Sequence, residues 1–276
     1  MITNVPRDRR AALAPLFADF PGVQGMLASA LSGAMGVAWA NDADEPAVAH
    51  LSIYFHLLAG DPAHPAARAM VSRLPQPATV IVPQTQAWFE LLASVWHRAL
   101  EPVDRALMVP PPKWDKEKLL RKVERLPERF ALRKPAHNDL ADLLAFDDLL
   151  AVCFADPAEL IDRGSCRFAQ REGSRDIAAA CSTAAISSAL PPGARAFIAQ
   201  QDHDDHAMAE IEISTAAIFR RRGLGSAVAA SVILDCLERD VTPCWDAFNP
   251  ESQALATSLG YADAKPYTAF FLCRTA

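Results

Sequence analysis

The chain has 276 residues, of which half are apolar and 22% charged, with a formal net charge of −6. That length exceeds the usual ~100–200 residues of one domain and carries enough apolar mass for a sizeable core, while the acidic balance supplies no basic surface for nucleic acid. No window approaches ~18 uninterrupted apolar residues, and Met1-Ile2-Thr3-Asn4-Val5-Pro6-Arg7 lacks the charged-then-apolar order of a signal peptide, so a cytoplasmic protein with no membrane span is expected.

From the N-terminus, helix-spaced apolar positions over 7–20 and 23–31 flank Pro21-Gly22, and Gly33 to Ala40 reads as a strand ending at Asn41-Asp42. Pro46 suits the first turn of a helix running to about Ala59, where Gly60-Asp61-Pro62 stops it. A β-rich run, 78–82, precedes Pro83; a helix spans Trp88 to Leu100, and Arg105 to Val109 forms a short strand. Pro110-Pro111-Pro112 begins an extended connection before a charged helix, Trp114 to Arg125. A domain boundary is expected near Pro127, giving a helix-rich α/β domain over 1–127 and a second domain over 128–276.

The second half opens on the strand 129–132, followed by two helices within 139–163 and a hairpin, 166–170 with 177–185, around Glu172-Gly173-Ser174. The connection 190–207 is longer than a tight turn needs and is expected to border a ligand site. Its His203-Asp204-Asp205-His206 reads as a solvated loop, and no metal site is expected. Cys153, Cys166, Cys181, Cys236, Cys244 and Cys273 form no Cys-x-x-Cys and read as small buried side chains. A strand to Thr215, a glycine loop, a helix to about Glu238, a strand 243–248, a helix 250–259 and a last strand through Leu272 complete the order. The fold class is α/β (α+β).

The segment Phe219-Arg220-Arg221-Arg222-Gly223-Leu224-Gly225-Ser226 lies between an alternating strand and an amphipathic helix. Its glycines admit unusual backbone angles and close approach, so successive N–H groups and the positive end of the helix can face one phosphate group. In the strand before it, Glu210 and Glu212 point to one face and Ile211 and Ile213 to the other. Two readings stay open for that pair: a general base whose pKa burial raises, or the polar face of an amphipathic strand. Asn249-Pro250 is an N-cap and first-turn pair. Gly33-Ala34-Met35-Gly36 has no arginine before it and no helix after it, and reads as a tight backbone approach. With no Gly-x-x-x-x-Gly-Lys-Ser/Thr and no complete Gly-x-Gly-x-x-Gly, a nucleotide-type phosphate fold is disfavoured.

The spacing Arg220-x-x-Gly223-x-Gly225 between strand and helix, followed by Pro243 to Asn249, Ser252, Leu255-Ala256 and Leu259-Gly260-Tyr261, resembles the GNAT acyl-coenzyme A-dependent N-acetyltransferases. Across most of its length the chain also resembles the bacterial subgroup that includes the zwittermicin self-resistance acetyltransferase, through Gly33 to Trp39 with Asp42, Glu45-Pro46 and Ala49, and Phe55 with Leu58 to Asp61. The resemblance implies a C-terminal GNAT fold with a mixed, splayed central sheet and acetyl-CoA as cosubstrate between the strands 209–215 and 243–248. Coenzyme-binding positions are then Ile213, Ser214, Thr215, Arg220, Arg221, Arg222, Gly223, Leu224, Gly225, Ser226, Asn249 and Ser252. Glu210, Glu212 and Tyr267 are the catalytic candidates, and a small-molecule amine is the acceptor. The chain departs from the family pattern at Ala256, where many members place the tyrosine that protonates the departing thiolate. Tyr261, Tyr267 or water must serve instead, or the chain is a catalytically weak or inactive coenzyme-binding protein.

Overall fold

A computed structural model of the chain describes residues 2–75, 79–187 and 207–273. Most of the connection 190–207, including His203 to His206, lies outside them. The first half contains β1 (Thr3–Asn4), a 3-10 segment (Arg7–Phe17), α1 (Gln24–Leu31), β2 (Val37–Ala40), β3 (Val48–Ser52), β4 (Phe55–Gly60), α2 (Pro65–Val71), β5 (Thr79–Pro83), α3 (Gln86–Trp96), β6 (Leu100–Val109) and α4 (Lys116–Glu124). The second contains β7 (Phe130–Arg133), α5 (Leu140–Phe146), α6 (Glu159–Asp162), β8 (Cys166–Arg171), β9 (Ile177–Ile186), β10 (Ala207–Thr215), α7 (Leu224–Glu238), β11 (Val241–Ala247), α8 (Pro250–Leu259) and β12 (Ala262–Leu272).

The helix expected over 46–59 is instead the hairpin partners β3 and β4. Residues 48–51 and 55–59 are buried without interruption, because this part of the sheet is covered on both faces; such a run has no period-2 signature to set it apart from a buried helix. The helix expected over 7–20 is a 3-10 segment, whose interior Pro15 supplies no N–H to an α-helical ladder. Only Val37–Ala40 of the strand expected over 33–40 is extended, since Gly33 and Gly36 turn at φ +74° and +65°. The short strand at 105–109 is the tail of β6, which begins at Leu100 and runs through Pro102 against the whole length of β12.

All twelve strands join one mixed sheet in the order β1-β2-β3-β4-β5-β12-β6-β11-β10-β9-β8-β7. The order read inward from each edge is the same, with β6 and β12 exchanged at the centre: β6 lies beside β11, and β12 beside β5. Among the described residues only the pairs β4–β5 and β10–β11 run parallel. This exchange carries Arg105, on β6, into register with the end of β11. The helix α7 buries Leu224, Val228, Val232 and Ile233 against β9–β11, while α1 lies on the opposite side and touches β10 and β11.

Candidate active site

β10 and β11 pair only from Ala207–Val241 to Glu210–Cys244. From Trp245 onward β11 pairs with β6 on its other side, so the facing edge of β10 beyond Glu210 has no strand partner among the described residues. The ladder between β10 and β9 shifts register between Glu210 and Ile211, at the same point. Backbone groups along the parted edge are left for a ligand, and an amide-bearing chain laid there would pair as an added strand does. A cavity of about 1070 Å³ fills the opening, lined by Glu210 to Thr215, by the loop before α7 and by Trp245, Asp246, Phe248 and Asn249.

The loop is built as an anion cradle. Arg221 takes φ +59° and Gly223 φ +86°, turning the chain so that Gly223 caps α7 from the left-handed region. Among the described residues no side chain caps that 15-residue helix, so its first amides lack partners there and carry the positive end of the helix dipole. The Ser226 hydroxyl, in the same first turn, is buried and also without a partner among the described residues. A Cβ on Gly225 would stand 3.0 Å from the Thr215 Oγ1, which leaves little room for a side chain between the loop and β10. Arg220 and Arg221 line the cavity; Arg220 donates from Nε to the Thr215 carbonyl. Arg222 does not line it, and lies over the Phe219 ring instead. Asn249 caps α8 by accepting from the Ser252 N–H at 2.8 Å, and the Ser252 hydroxyl accepts from Trp245 Nε1.

Beyond the cradle the cavity meets a cluster of titratable groups. Glu210 is buried; its Oε2 accepts from the Gly25 N–H of α1 at 3.1 Å, and its Oε1 is buried with no partner among the described residues. Burial, then the charge of Asp246, pushes its carboxyl up to about 8. Glu212 is half-buried and lines the cavity, with Oε1 accepting from the Ile213 N–H. Burial, then Asp147, raises it to about 7. Asp246 accepts from Arg105 Nε at 2.5 Å, from the Tyr267 hydroxyl at 2.8 Å and from the Val23 N–H at 3.0 Å. Burial works against the Arg105 charge, but Asp246 and Tyr267 outweigh it and raise the guanidinium pKa. The Arg105 guanidinium lies 4.9 Å from the Phe55 ring centroid and 5.6 Å from that of Phe248.

Of the expected catalytic residues, Glu210 and Glu212 stand in the opening and Tyr267 does not line it. The Tyr267 hydroxyl is committed to Asp246 and Arg105, and that of Tyr261 to the Pro243 carbonyl at 3.0 Å. Arg105 and the amides of Val23 and Gly25 were not legible as site residues, while Trp245-Asp246 at the strand end is open, from the sequence alone, between acceptor binding and packing. An acid flanked on its strand by the buried Trp245 and Ala247 was the one available signal for Asp246. Tyr54 and Phe55, at the cavity wall, lie in the segment misread as helix.

The GNAT acetyltransferase family model matches residues 14–190 and 204–270. The chain belongs to the GNAT acetyltransferase family. Among solved structures, this GNAT acetyltransferase is similar to a GCN5-related N-acetyltransferase-like protein from Streptococcus suis, with a TM-score of 0.78 and 27% identity over 96% of this chain and 98% of that one. A GCN5-related N-acetyltransferase from Kribbella flavida shares the fold with a TM-score of 0.52 and 16% identity, over 91% and 96% of the two chains. A GNAT-family acetyltransferase from Colwellia psychrerythraea does so with 0.51 and 11%, over 99% and 100%. No curated protein matches the chain. No helix among the described residues is long and apolar enough to cross a membrane.

Proposed function

We propose that this acetyltransferase moves the acetyl group of acetyl-CoA to the amino group of a small molecule. The observation that carries the reading is the continuity of one cavity from the uncapped first turn of α7, with its unpartnered Ser226 hydroxyl, to the carboxylate of Glu212. The donor set fits a diphosphate: free helix amides, a buried hydroxyl, and Arg220 and Arg221 at the rim. When bound, acetyl-CoA supplies an acetyl group on a thioester, activated for attack by an amine.

The amides of Leu224 to Ser226 would hold the phosphates, and backbone groups of Ile213 to Thr215 on the parted edge would hold the amide-bearing arm. A strand amide near Thr215 serves as oxyanion donor, fixed in place without reorganisation. Glu212 takes the amine's proton: it faces the cavity, and a carboxyl near 7 is half-ionised at neutral pH, where a base works best. Tyr267 positions Asp246 rather than serving as an acid. The first 127 residues complete the acceptor side through Met26, Tyr54, Phe55 and Arg105, and Phe55 and Tyr54 favour an amine with an apolar or aromatic body. The resemblance to the zwittermicin self-resistance subgroup supports a small-molecule amine as acceptor. All six cysteines are free, which suits the reducing cytoplasm.

The test is thiol release from acetyl-CoA over a panel of small amines, amino acids and aminoglycoside-like compounds, with mass detection of the acetylated product. Acetylation of at least one amine, lost in Glu212→Gln, is expected. Coenzyme binding without release for any amine would overturn the transfer reading in favour of a coenzyme-binding protein.

A further inference from the structure

The usual tyrosine acid is missing, and the two tyrosine hydroxyls expected to replace it, those of Tyr261 and Tyr267, are already engaged. Ala256 stands at the family position, wholly buried; the Tyr261 hydroxyl donates to the Pro243 carbonyl, and the Tyr267 hydroxyl to Asp246. One buried carboxyl at the opening is under-engaged. Glu210 is the last residue of β10 to pair with β11, so it marks the point where the strands part. Gly25 holds its Oε2, and Oε1 is enclosed without a partner among the described residues, although Glu210 lines the cavity.

We propose that Glu210 is the general acid of this enzyme, giving the proton of its carboxyl to the departing sulfur in the role that a tyrosine fills elsewhere. The assignment rests on the acetyl-transfer reading and divides the two glutamates between base and acid.

The surroundings keep that carboxyl protonated before the reaction. The groups facing it are Asp246 and Cys244 from β11, Arg105 from β6, Glu212 on its own strand, Cys153 after the 3-10 turn Asp148–Ala151, and Tyr261 ahead of β12. α1 adds amides and no titratable side chain. Arg105 is the single cation in this set, and Asp246 already takes its Nε at 2.5 Å with a side chain only 2% exposed. A second anion at Glu210 would be a buried charge with one amide for support, so the proton stays on. The opposed environments of the two carboxyls, one enclosed and one facing the cavity, separate acid from base on one strand.

The step balances. The amine nitrogen bonds to the acetyl carbon while the carbon–sulfur bond breaks, its electron pair going to sulfur. Glu212 accepts the amine's proton, Glu210 gives its own to sulfur, and exchange with solvent returns a proton from Glu212 to Glu210. No oxidant, reductant or metal is needed.

Two measurements test the assignment. In the first, kcat is followed against pH for wild type, Glu210→Gln and Glu210→Asp with acetyl-CoA and an amine identified as above. Wild type should show a falling limb near pH 8; Glu210→Gln should lose that limb and at least ~10-fold in kcat, with little change in coenzyme affinity, while Glu210→Asp keeps a falling limb. A Glu210→Gln variant with wild-type kcat and an unchanged falling limb would overturn the assignment. The second needs neither substrate nor turnover: infrared difference spectra of the protein alone between pH 5 and 10 should show a protonated-carboxyl stretch that persists to about pH 8 and is absent from Glu210→Gln, beside the Glu212 stretch that fades through about pH 7. If Glu210→Gln fails to fold, the band in Glu212→Gln with carboxyl-labelled glutamate decides, and an ionised Glu210 at pH 7 would overturn the proposal. Absence of thiol release by wild type, with that band present, would instead overturn the transfer reading beneath it.

Discussion

Arg105→Met is the perturbation that asks most of the structure. It removes the cation that Asp246 pairs with, while keeping an apolar stem between Phe55 and Phe248. The two side chains are 10% and 2% exposed, so the pair is screened little by solvent. Stranding one partner of a buried ion pair costs about 3–5 kcal/mol. Asp246 would keep the Tyr267 hydroxyl and the Val23 N–H, which places the expected cost at the low end, about 3 kcal/mol. With a urea slope of about 3 kcal/mol per molar, the unfolding midpoint should fall by about 1 M at constant slope. Arg105→Met combined with Asp246→Asn removes both charges, so the double variant should be more stable than the sum of the single effects by at least about 1 kcal/mol. A midpoint within about 0.2 M of wild type for Arg105→Met, or strict additivity in the double variant, would refute the reasoning that this buried pair ties β6 to β11.

The other predictions concern the carboxyls and their supports. Glu212, raised to about 7 and acting as base, should make kcat/KM rise with pH through about 7; Glu212→Gln should remove that rising limb and lower turnover ~10²- to 10⁴-fold, read by steady-state kinetics, with coenzyme affinity barely changed. The Glu210 carboxyl has a folded pKa near 8 against an ordinary ~4.3, so the folded state binds the extra proton between those values; its contribution to stability is full below about pH 4 and is lost as pH rises through about 8. Urea midpoints between pH 5 and 8.5 should therefore fall less steeply in Glu210→Gln than in wild type. A Cβ on Gly25 would lie 2.6 Å from the Glu210 N and 2.9 Å from its Oε2, so Gly25→Ala should push α1 off β10 and lower stability by about 1–3 kcal/mol, measured by urea unfolding. Tyr267→Phe should cost about 1.5 kcal/mol through its lost bond to Asp246 yet change turnover less than ~5-fold; a 100-fold fall would return Tyr267 to the role of acid.

The loop-and-strand side of the candidate site was legible as structure because its signals are local. The alternation of Glu210 to Ile213, the paired glycines at 223 and 225 and the Asn249-Pro250 cap each state their structure within a few residues. The opposite side of the cavity was not, because its groups meet only through the sheet. Arg105 and Asp246 are 141 residues apart in sequence, and Gly25 and Glu210 are 185 apart, so no spacing rule can pair them. The segment 46–59 failed for a different reason: burial on both faces erases the alternation that marks a strand, and Pro46 offers a false helix start. Ala256 showed that the usual acid is absent, but which group is free to replace it depends on hydrogen bonds that only the folded chain displays.

The central claim, that acetyl-CoA is held by the uncapped first turn of α7 and the parted edge of β10, is tested most directly by titration calorimetry of acetyl-CoA into wild type and Gly225→Glu. The substitution puts a carboxylate among the amides that should receive the phosphates, and its Cβ falls 3.0 Å from Thr215 Oγ1. Wild type should bind, and a Gly225→Glu protein with unchanged circular dichroism should bind at least ~100-fold more weakly. Equal affinity in the two folded proteins would contradict the account.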